Sequence, residues 1–356
     1  MKKIISAIFV VWVCIGCGKS SDPNNPFRPD APKPSEPVTR SASIGIVGDA
    51  ADVQTQTKGG IVIMGGGSDV SAALQWMIER SGGGDVVVIR ATGTDAYNSY
   101  IKGLGNVNSV ETLKIDSRKL ADDDNVARII REAEMLFIAG GDQSDYVNYW
   151  KGTKVMAAIN YLINEKKVPV GGTSAGAAIL GNYYFSAERG GIDLSLNINA
   201  LTNPYHERVI IGRDDFLKFP ILQNVITDQH FSQRNRQGRS IAFLGRIMKD
   251  WGKTPYGIAV DEATAVCIDE NGIATVIGSN KAFFLKTDAA KAPETFAVNT
   301  PVTWNHEGKA IQVFAQSGTA SNNKFNLNTF QPESTNGLEK YWWAVASGNW
   351  AQSVRD

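Results

Sequence analysis

Three short apolar runs in this chain each stop in a cluster of glycines. Ile61-Val62-Ile63-Met64 runs into Gly65-Gly66-Gly67, Met135-Leu136-Phe137-Ile138-Ala139 into Gly140-Gly141, and Val168-Pro169-Val170 into Gly171-Gly172. Short runs without polar alternation, bounded by turn residues, are strands covered on both faces. Asp85 to Ile89 is a further strand, and Val110 to Ile115 another. Helical spacing fills the gaps. Asp69 is placed to cap a helix whose apolar face carries Ala72, Leu74 or Ala73, and Met77-Ile78. Asp122 to Glu134 is a helix through Val126, Ile129-Ile130 and Ala133, and a long helix from Val147 to Lys166 precedes the third run. Buried strands alternating with helices build parallel βαβ units. Such sheets bind ligands outside the carboxyl ends of their strands, where the glycine clusters stand.

The third run continues as Gly171-Gly172-Thr173-Ser174-Ala175-Gly176-Ala177-Ala178. Gly172 to Gly176 has the G-x-S-x-G form, in which a serine occupies a sharp strand-to-helix turn and the glycines make room for the backbone. That turn exposes the Ser174 hydroxyl and aims the Ala175 N–H at the position of an oxyanion. The same residues also suit a glycine-rich turn with an incidental serine, so the motif needs partners before it carries chemistry.

A serine nucleophile needs a base, and the chain has three histidines. His206 follows Asn203-Pro204-Tyr205 in a loop-like stretch, and His306 lies far toward the C-terminus. His230 stands where the apolar run Val225-Ile226-Thr227 gives way to Asp228-Gln229-His230-Phe231-Ser232-Gln233-Arg234-Asn235-Arg236-Gln237-Gly238-Arg239. Ionisable groups crowded at a strand end suit a site, although arginines at this spacing also suit a solvated basic loop. A base needs an orienting acid. Asp261 and Glu262 interrupt the strand-like run Ile258 to Val266, and alternation puts Glu262 on the face of Ile258 and Val260, with Asp261 opposite. Either carboxylate suits the role on this evidence.

Composition narrows the classes of function. Lys+Arg and Asp+Glu are both 36, so no net charge draws the chain to nucleic acid or to an anionic membrane surface. Neither a G-x-G-x-x-G turn nor a phosphate loop is present, and the histidines lack metal-ligand spacing, so no cofactor and no metal are expected. Cys14, Cys17 and Cys267 are the only cysteines, and Cys267 sits alone in an apolar run as a core residue. Lys2-Lys3 precede an apolar run from Ile4 to Cys17, too short to span a bilayer and suited to a signal-peptide core. Its end, Cys14-Ile15-Gly16-Cys17, resembles a bacterial lipoprotein signal, which would leave Cys17 acylated at the new N-terminus. The domain plan is therefore a signal at 1–17, a proline-rich tether at 18–43, an α/β domain at 44–280 and a β-rich extension at 281–356. The expected location is the bacterial cell envelope, lipid-anchored, with a soluble secreted protein as the alternative.

The strings Gly140-Gly141-Asp142-Gln143, Gly171 to Ala177, Asp228 to Arg239 and Gly257 to Thr264 occur together. Together they resemble the cyanophycinase group of serine peptidases, related to bacterial aspartyl dipeptidases, over residues 59 to 280. The resemblance implies Ser174 as nucleophile, His230 as base and Glu262 as the acid that orients it. Asp142 and Ala175 would offer backbone N–H groups to the oxyanion. Gln143, Asp228, Gln229, Arg234, Arg236 and Arg239 would line the substrate site. The implied fold is a doubly wound, mostly parallel, flavodoxin-like sheet, similar to class I amidotransferase domains, with the C-terminal segment as a small β-rich appendage. The implied activity is that of an exported serine exopeptidase acting on cyanophycin (multi-L-arginyl-poly-L-aspartate) or related β-aspartyl peptides through an acyl-enzyme.

Each cyanophycin unit carries a guanidinium and a free carboxylate, which suits a neutral protein with a local arginine cluster. The segment Arg90 to Asn98 is longer than the turn the family pattern leads one to expect. Expected partners are thus a peptide or cyanophycin-like polymer, a membrane only through the lipid, no nucleic acid and, for the assembly, a homodimer. The competing reading is a non-catalytic surface lipoprotein binding a peptide or polymer in the same pocket. A glutaminase of the amidotransferase type would carry cysteine at position 174.

Overall fold

A computed structural model describes residues 39–192 and 199–356. The expected signal peptide, Cys17, and the tether as far as residue 38 lie outside the described residues. β1 (Ser43–Gly48) is followed by β2 (Gly60–Met64), the first buried strand, and by α1 (Ser71–Arg80). Asp69 does not cap α1. Val70 holds the N-cap position, and the Asp69 carboxylate instead accepts a 2.9 Å hydrogen bond from the Tyr97 hydroxyl. α1 buries Ala73, Leu74, Met77 and Ile78, a single helical stripe, while Ala72 is exposed.

β3 (Val86–Arg90), α2 (Ala96–Leu104), β4 (Ser109–Lys114), the short α3 (Arg118–Ala121), α4 (Asp124–Glu132) and β5 (Met135–Ile138) follow. The segment expected as one helix from Val147 to Lys166 is broken. It comprises the end of α5 (Gln143–Trp150), then α6 (Lys154–Tyr161), then a π-helical turn over Leu162–Lys166. Gly152 takes a φ of 74° at the break, and the Thr153 hydroxyl caps α6 through the Met156 N–H. A glycine beside a capping threonine offers the backbone a better end than a continued helix.

β6 (Pro169–Thr173) leads into α7 (Ala175–Ala178), then β7 (Tyr183–Phe185), β8 (Ile211–Arg213), β9 (Val225–Asp228), α8 (Gln237–Trp251) and β10 (Tyr256–Val260). β11 (Thr264–Asp269), β12 (Ile273–Gly278), β13 (Lys281–Lys286), β14 (Ile311–Ser317), β15 (Lys324–Asn326), β16 (Gln331–Pro332), β17 (Leu338–Ala346) and β18 (Asn349–Val354) complete the chain.

The fold is mixed α/β, with two sheets. One runs β1-β4-β3-β5-β6-β2-β11-β12-β15-β16 and the other β18-β17-β14-β13-β10-β9-β7-β8. The strands β4-β3-β5-β6-β2 are mutually parallel. In a flavodoxin the first parallel strand lies between the second and third. Here β2 closes the parallel set and takes antiparallel β11 on its other side. In the second sheet β9 is parallel to both β10 and β7. Strands from residues 281–356 extend both sheets, β13 pairing with β10 and β15 with β12.

Two apolar clusters hold these layers. α1 and α2 pack Leu74, Met77 and Ile101 on Val62, Val88 and Phe137 of the parallel strands, with Cys267 buried among them. α8 packs Phe243 and Ile247 with Trp304 and Trp343 from the C-terminal segment. Burying side chains of this size is worth about 1.5–3 kcal/mol each.

The run read as one strand from Ile258 to Val266 is two strands in different sheets. β10 ends at Val260 and β11 begins at Thr264, so alternation stops before the two carboxylates and does not assign their faces. Asp261-Glu262-Ala263 instead form the turn that carries the chain between the sheets, with Ala263 at a φ of 53°.

Candidate active site

β6 has β2 on one side and β5 on the other, all parallel, so the glycine-rich ends of the three strands converge. Ser174 follows β6 at φ 53° and ψ −118°, a conformation that costs an ordinary residue on the order of 1–3 kcal/mol. Hydrogen bonds fix it. Its N–H donates to the Met64 carbonyl at 3.1 Å, and its carbonyl accepts from Ala178 N–H at 3.0 Å. Gly176 lets α7 start hard against β5, because a Cβ there would stand 2.8 Å from the Ile138 carbonyl carbon. A strand that must turn this sharply between two others explains both glycines of the motif.

His230 lies two residues past the end of β9 and Glu262 two past the end of β10, and these strands are parallel neighbours in the second sheet. Ser174 Oγ is 2.8 Å from His230 Nε2, and His230 Nδ1 is 2.5 Å from Glu262 Oε1. With Glu262 ionised, Nδ1 carries the proton and donates, leaving Nε2 to accept from the serine hydroxyl. His230 also has a positive φ, 46°, and its N–H donates to the Gly65 carbonyl at 2.8 Å. The glycine cluster after β2 thus anchors the histidine backbone. Gly66, at a φ of 93°, faces the imidazole so closely that any Cβ would collide with it.

The two adjacent carboxylates divide the work. Glu262 meets the imidazole, its own N–H donates to Gln233 Oε1 at 2.9 Å, and its carbonyl accepts from Asn280 Nδ2 at 2.8 Å. Asp261 is buried and accepts from the Ser232 and Lys281 N–H groups at 2.8 and 3.4 Å. Gln233 and Asn280 escape sequence reasoning: Gln233 hides in a uniformly polar run, and nothing local marks Asn280. Gly66 was visible within a glycine cluster, but not as a neighbour of the histidine.

Burial lowers the His230 pKa below its ordinary value; the Glu262 hydrogen bond opposes this, and Arg234 and Arg236 add to the lowering. The imidazole is therefore held neutral and able to accept a proton near pH 7.

The remaining expected residues fall into two groups. Gly140 brings the end of β5 beside the serine, where a Cβ would stand 3.4 Å from Ser174 Cβ. Asp142 is the N-cap of α5, accepting from Ser144 N–H at 2.9 Å, and Gln143 is its buried first residue. Ala175 opens α7, so its N–H is among the helix-start donors that have no intrahelical acceptor.

Asp228, Gln229, Arg236 and Arg239 form a buried network around the β9 terminus. Arg239 grips Asp228 through Nε at 3.0 Å and through Nη2, Ser240 Oγ donates to the same carboxylate at 2.6 Å, and Arg236 donates to the Gln229 carbonyl at 2.8 Å. Burial alone would raise the Asp228 pKa, but Arg239, then Arg236 and Ser240, outweigh it and hold the carboxyl below its usual range. Of the three arginines only Arg234 is exposed. Among the described residues no group of three or more His, Cys, Asp or Glu could hold a metal ion, and no helix is long and apolar enough to cross a membrane.

A serine on a strained strand-to-helix turn, hydrogen-bonded to a neutral imidazole that an acid orients, is the arrangement of the serine hydrolases. The sequence model of peptidase family S51 matches residues 61–276, and the chain belongs to that family. A cyanophycinase of Geminocystis herdmanii is 27% identical over 184 residues, covering 52% of this chain and 60% of that protein. A cyanophycinase of Synechococcus elongatus is 27% identical over 232 residues, covering 62% of this chain and 66% of that protein. The chain thus spans less than two thirds of the length of these relatives. A solved peptidase from an acI-B1 Actinobacterium aligns with a TM-score of 0.46 at 18% identity, covering 64% of this chain and 91% of that one.

Proposed function

We propose that this chain is a serine exopeptidase that hydrolyses cyanophycin or related β-aspartyl peptides. The observation that carries the reading is the hydrogen-bonded line Ser174–His230–Glu262. In the first half of the reaction Ser174 Oγ attacks the scissile carbonyl carbon while His230 Nε2 takes the hydroxyl proton. The carbonyl oxygen becomes an oxyanion facing the N–H groups of Ala175 and Asp142, donors of a kind worth about 3 kcal/mol each. As the C–N bond breaks, His230 passes its proton to the departing amine, leaving an acyl-enzyme. Water then attacks the ester with His230 again as base, and Ser174 regains its proton.

The substrate class follows the cyanophycinase relatives and the chemistry of the polymer, whose units each present a carboxylate and a guanidinium. Arg234, exposed and close enough to lower the His230 pKa, is the arginine available to meet such a carboxylate. Export with an acylated Cys17 completes the proposal, and intact-mass measurement of the mature protein tests that part.

The decisive experiment compares wild type with Ser174→Ala. The wild type should label with a fluorophosphonate and release β-aspartyl-arginine from cyanophycin, as read by mass spectrometry; the variant should do neither. A wild type that neither labels nor cleaves would leave the binding-protein reading in its place.

A further inference from the structure

Among the described residues the two sheets end in four edge strands, β1 and β16 in one and β18 and β8 in the other. An edge strand presents unpaired backbone N–H and C=O groups, and proteins blunt it by brevity, proline, charge or a bulge. Three of these edges are blunted. β16 is two residues long and contains Pro332, β8 is three residues long and ends in Arg213, and β1 breaks register between Ser43 and Gly45. β18 has none of these devices. Asn349-Trp350-Ala351-Gln352-Ser353-Val354 carries no charge and no proline, pairs with β17 without a register shift, and is exposed at every residue. It also lies beyond residue 276, where the family match ends.

The free side of β18 has a defined pattern. Arg355 N–H donates to the Lys340 carbonyl at 3.0 Å, so in the alternating antiparallel ladder Asn349, Ala351 and Ser353 also face β17. The N–H and C=O groups of Trp350, Gln352 and Val354 therefore point outward. Their side chains stand on the face of Tyr341, Trp343 and Val345, which packs toward α8, and the Trp350 ring lies 5.4 Å from that of Trp343. Trp350 is 37% exposed and Val354 78%, two of the four large hydrophobic side chains left open among the described residues. They sit symmetrically about Gln352. A second strand of the same sequence, antiparallel and centred on Gln352, sets each Trp350 opposite Val354 and Gln352 opposite itself. Only in that register do all three outward residues meet outward residues of the other strand, each pair exchanging two N–H···O bonds. It also covers both open apolar side chains, aromatic against β-branched, a favourable cross-strand pair.

We infer that β18 pairs antiparallel with β18 of a second copy of this chain across a two-fold axis at Gln352, joining two eight-stranded sheets into one. This interface stands apart from the peptidase reading. Six residues a side bury less than the roughly 1,200–2,000 Å² of a standard interface, so the dimer is weak and concentration-dependent. Two measurements on the full chain test it. With Cys14→Ser and Cys17→Ser, the one cysteine left is the buried Cys267. In that background the Cα atoms of the two Gln352 residues stand about 5.5 Å apart, within disulfide reach. Gln352→Cys should therefore form an intermolecular disulfide under mild oxidation, read on a non-reducing gel. Asn349→Cys should not, because its mate lies six positions along the ladder, about 20 Å away. In sedimentation velocity, Gln352→Pro removes an outward N–H and leaves the β17 ladder whole, so it should raise the dimer Kd at least tenfold with Tm little changed. Val354→Asp, which sets a charge against Trp350 of the second copy, should act alike. A wild type monomeric at every concentration, a dimer indifferent to both substitutions, or no excess of cross-linking at 352 over 349 overturns the inference.

Discussion

His230 Nδ1 lies 2.5 Å from Glu262 Oε1, although the two residues are carried by different strands and Ser174, at the other ring nitrogen, belongs to a different sheet. Asp261, the neighbouring acid, is turned away to bind backbone N–H groups. The two carboxylates therefore fail differently when neutralised. Glu262→Gln should lower kcat/KM by about 10³–10⁴ with little change in Tm, the scale seen when an orienting carboxylate becomes an amide. Asp261→Asn should cost stability first, about 1–3 kcal/mol by urea unfolding, as one carboxylate oxygen is replaced by an amide that cannot accept. The opposite pattern would reassign the acid.

The acid limb of the pH profile reports on His230. Only the neutral imidazole accepts the serine proton, so kcat/KM falls as the ring protonates. Burial, helped by Arg234 and Arg236, sets the midpoint below 6.5, and Arg234→Gln should move it upward. Stability follows the same sign. The unfolded state takes the proton first, so the His230 contribution is whole above pH 6.5 and is lost as pH falls through the native value. A midpoint above 6.5 in the wild type would contradict this account.

Gly66→Ala places a methyl group against the His230 imidazole at a backbone angle of 93°. The ring must move away from Ser174, so kcat/KM should drop at least 100-fold, with a loss of about 1–3 kcal/mol in stability from strain. Steady-state kinetics and thermal unfolding measure the two effects. Unaltered kinetics would mean that the ring has room that the geometry denies it.

Asp228→Asn leaves the Arg239 guanidinium buried without its countercharge. Breaking such a pair costs about 3–5 kcal/mol, and denaturant unfolding should show that loss. For the wild type, the Asp228 contribution is whole above its ordinary value of 3.8 and fades as pH falls through the depressed native value. Unchanged stability in the variant would show that Arg239 finds another partner.

Local sequence carried much of this. Short apolar runs fixed β2, β3, β5 and β6, and their glycine ends located the site, because apolar continuity and glycine punctuation act within a few residues. The serine turn was readable for the same reason. Helix ends were less so. Asp69 looked like a cap and is a partner of Tyr97, and the helix before β6 breaks at Gly152, because a distant acceptor or a locally better turn outcompetes periodicity. The strand-like run from Ile258 to Val266 hid a change of sheet, since either half pairs equally well as a strand and only long-range register divides them.

By itself the sequence determined that Ser174 stands on an elbow at a sheet's edge of ligand-binding ends, and that His230 lies in a charged loop suited to a base. It also narrowed the acid to two neighbouring residues, between which local pattern did not choose. Tertiary structure decided which acid meets the histidine, which glycine lets the ring approach, and which arginines are spent inside the protein. These are contacts between residues from 7 to more than 100 positions apart, and no local preference encodes them; they arise from how two sheets share one chain.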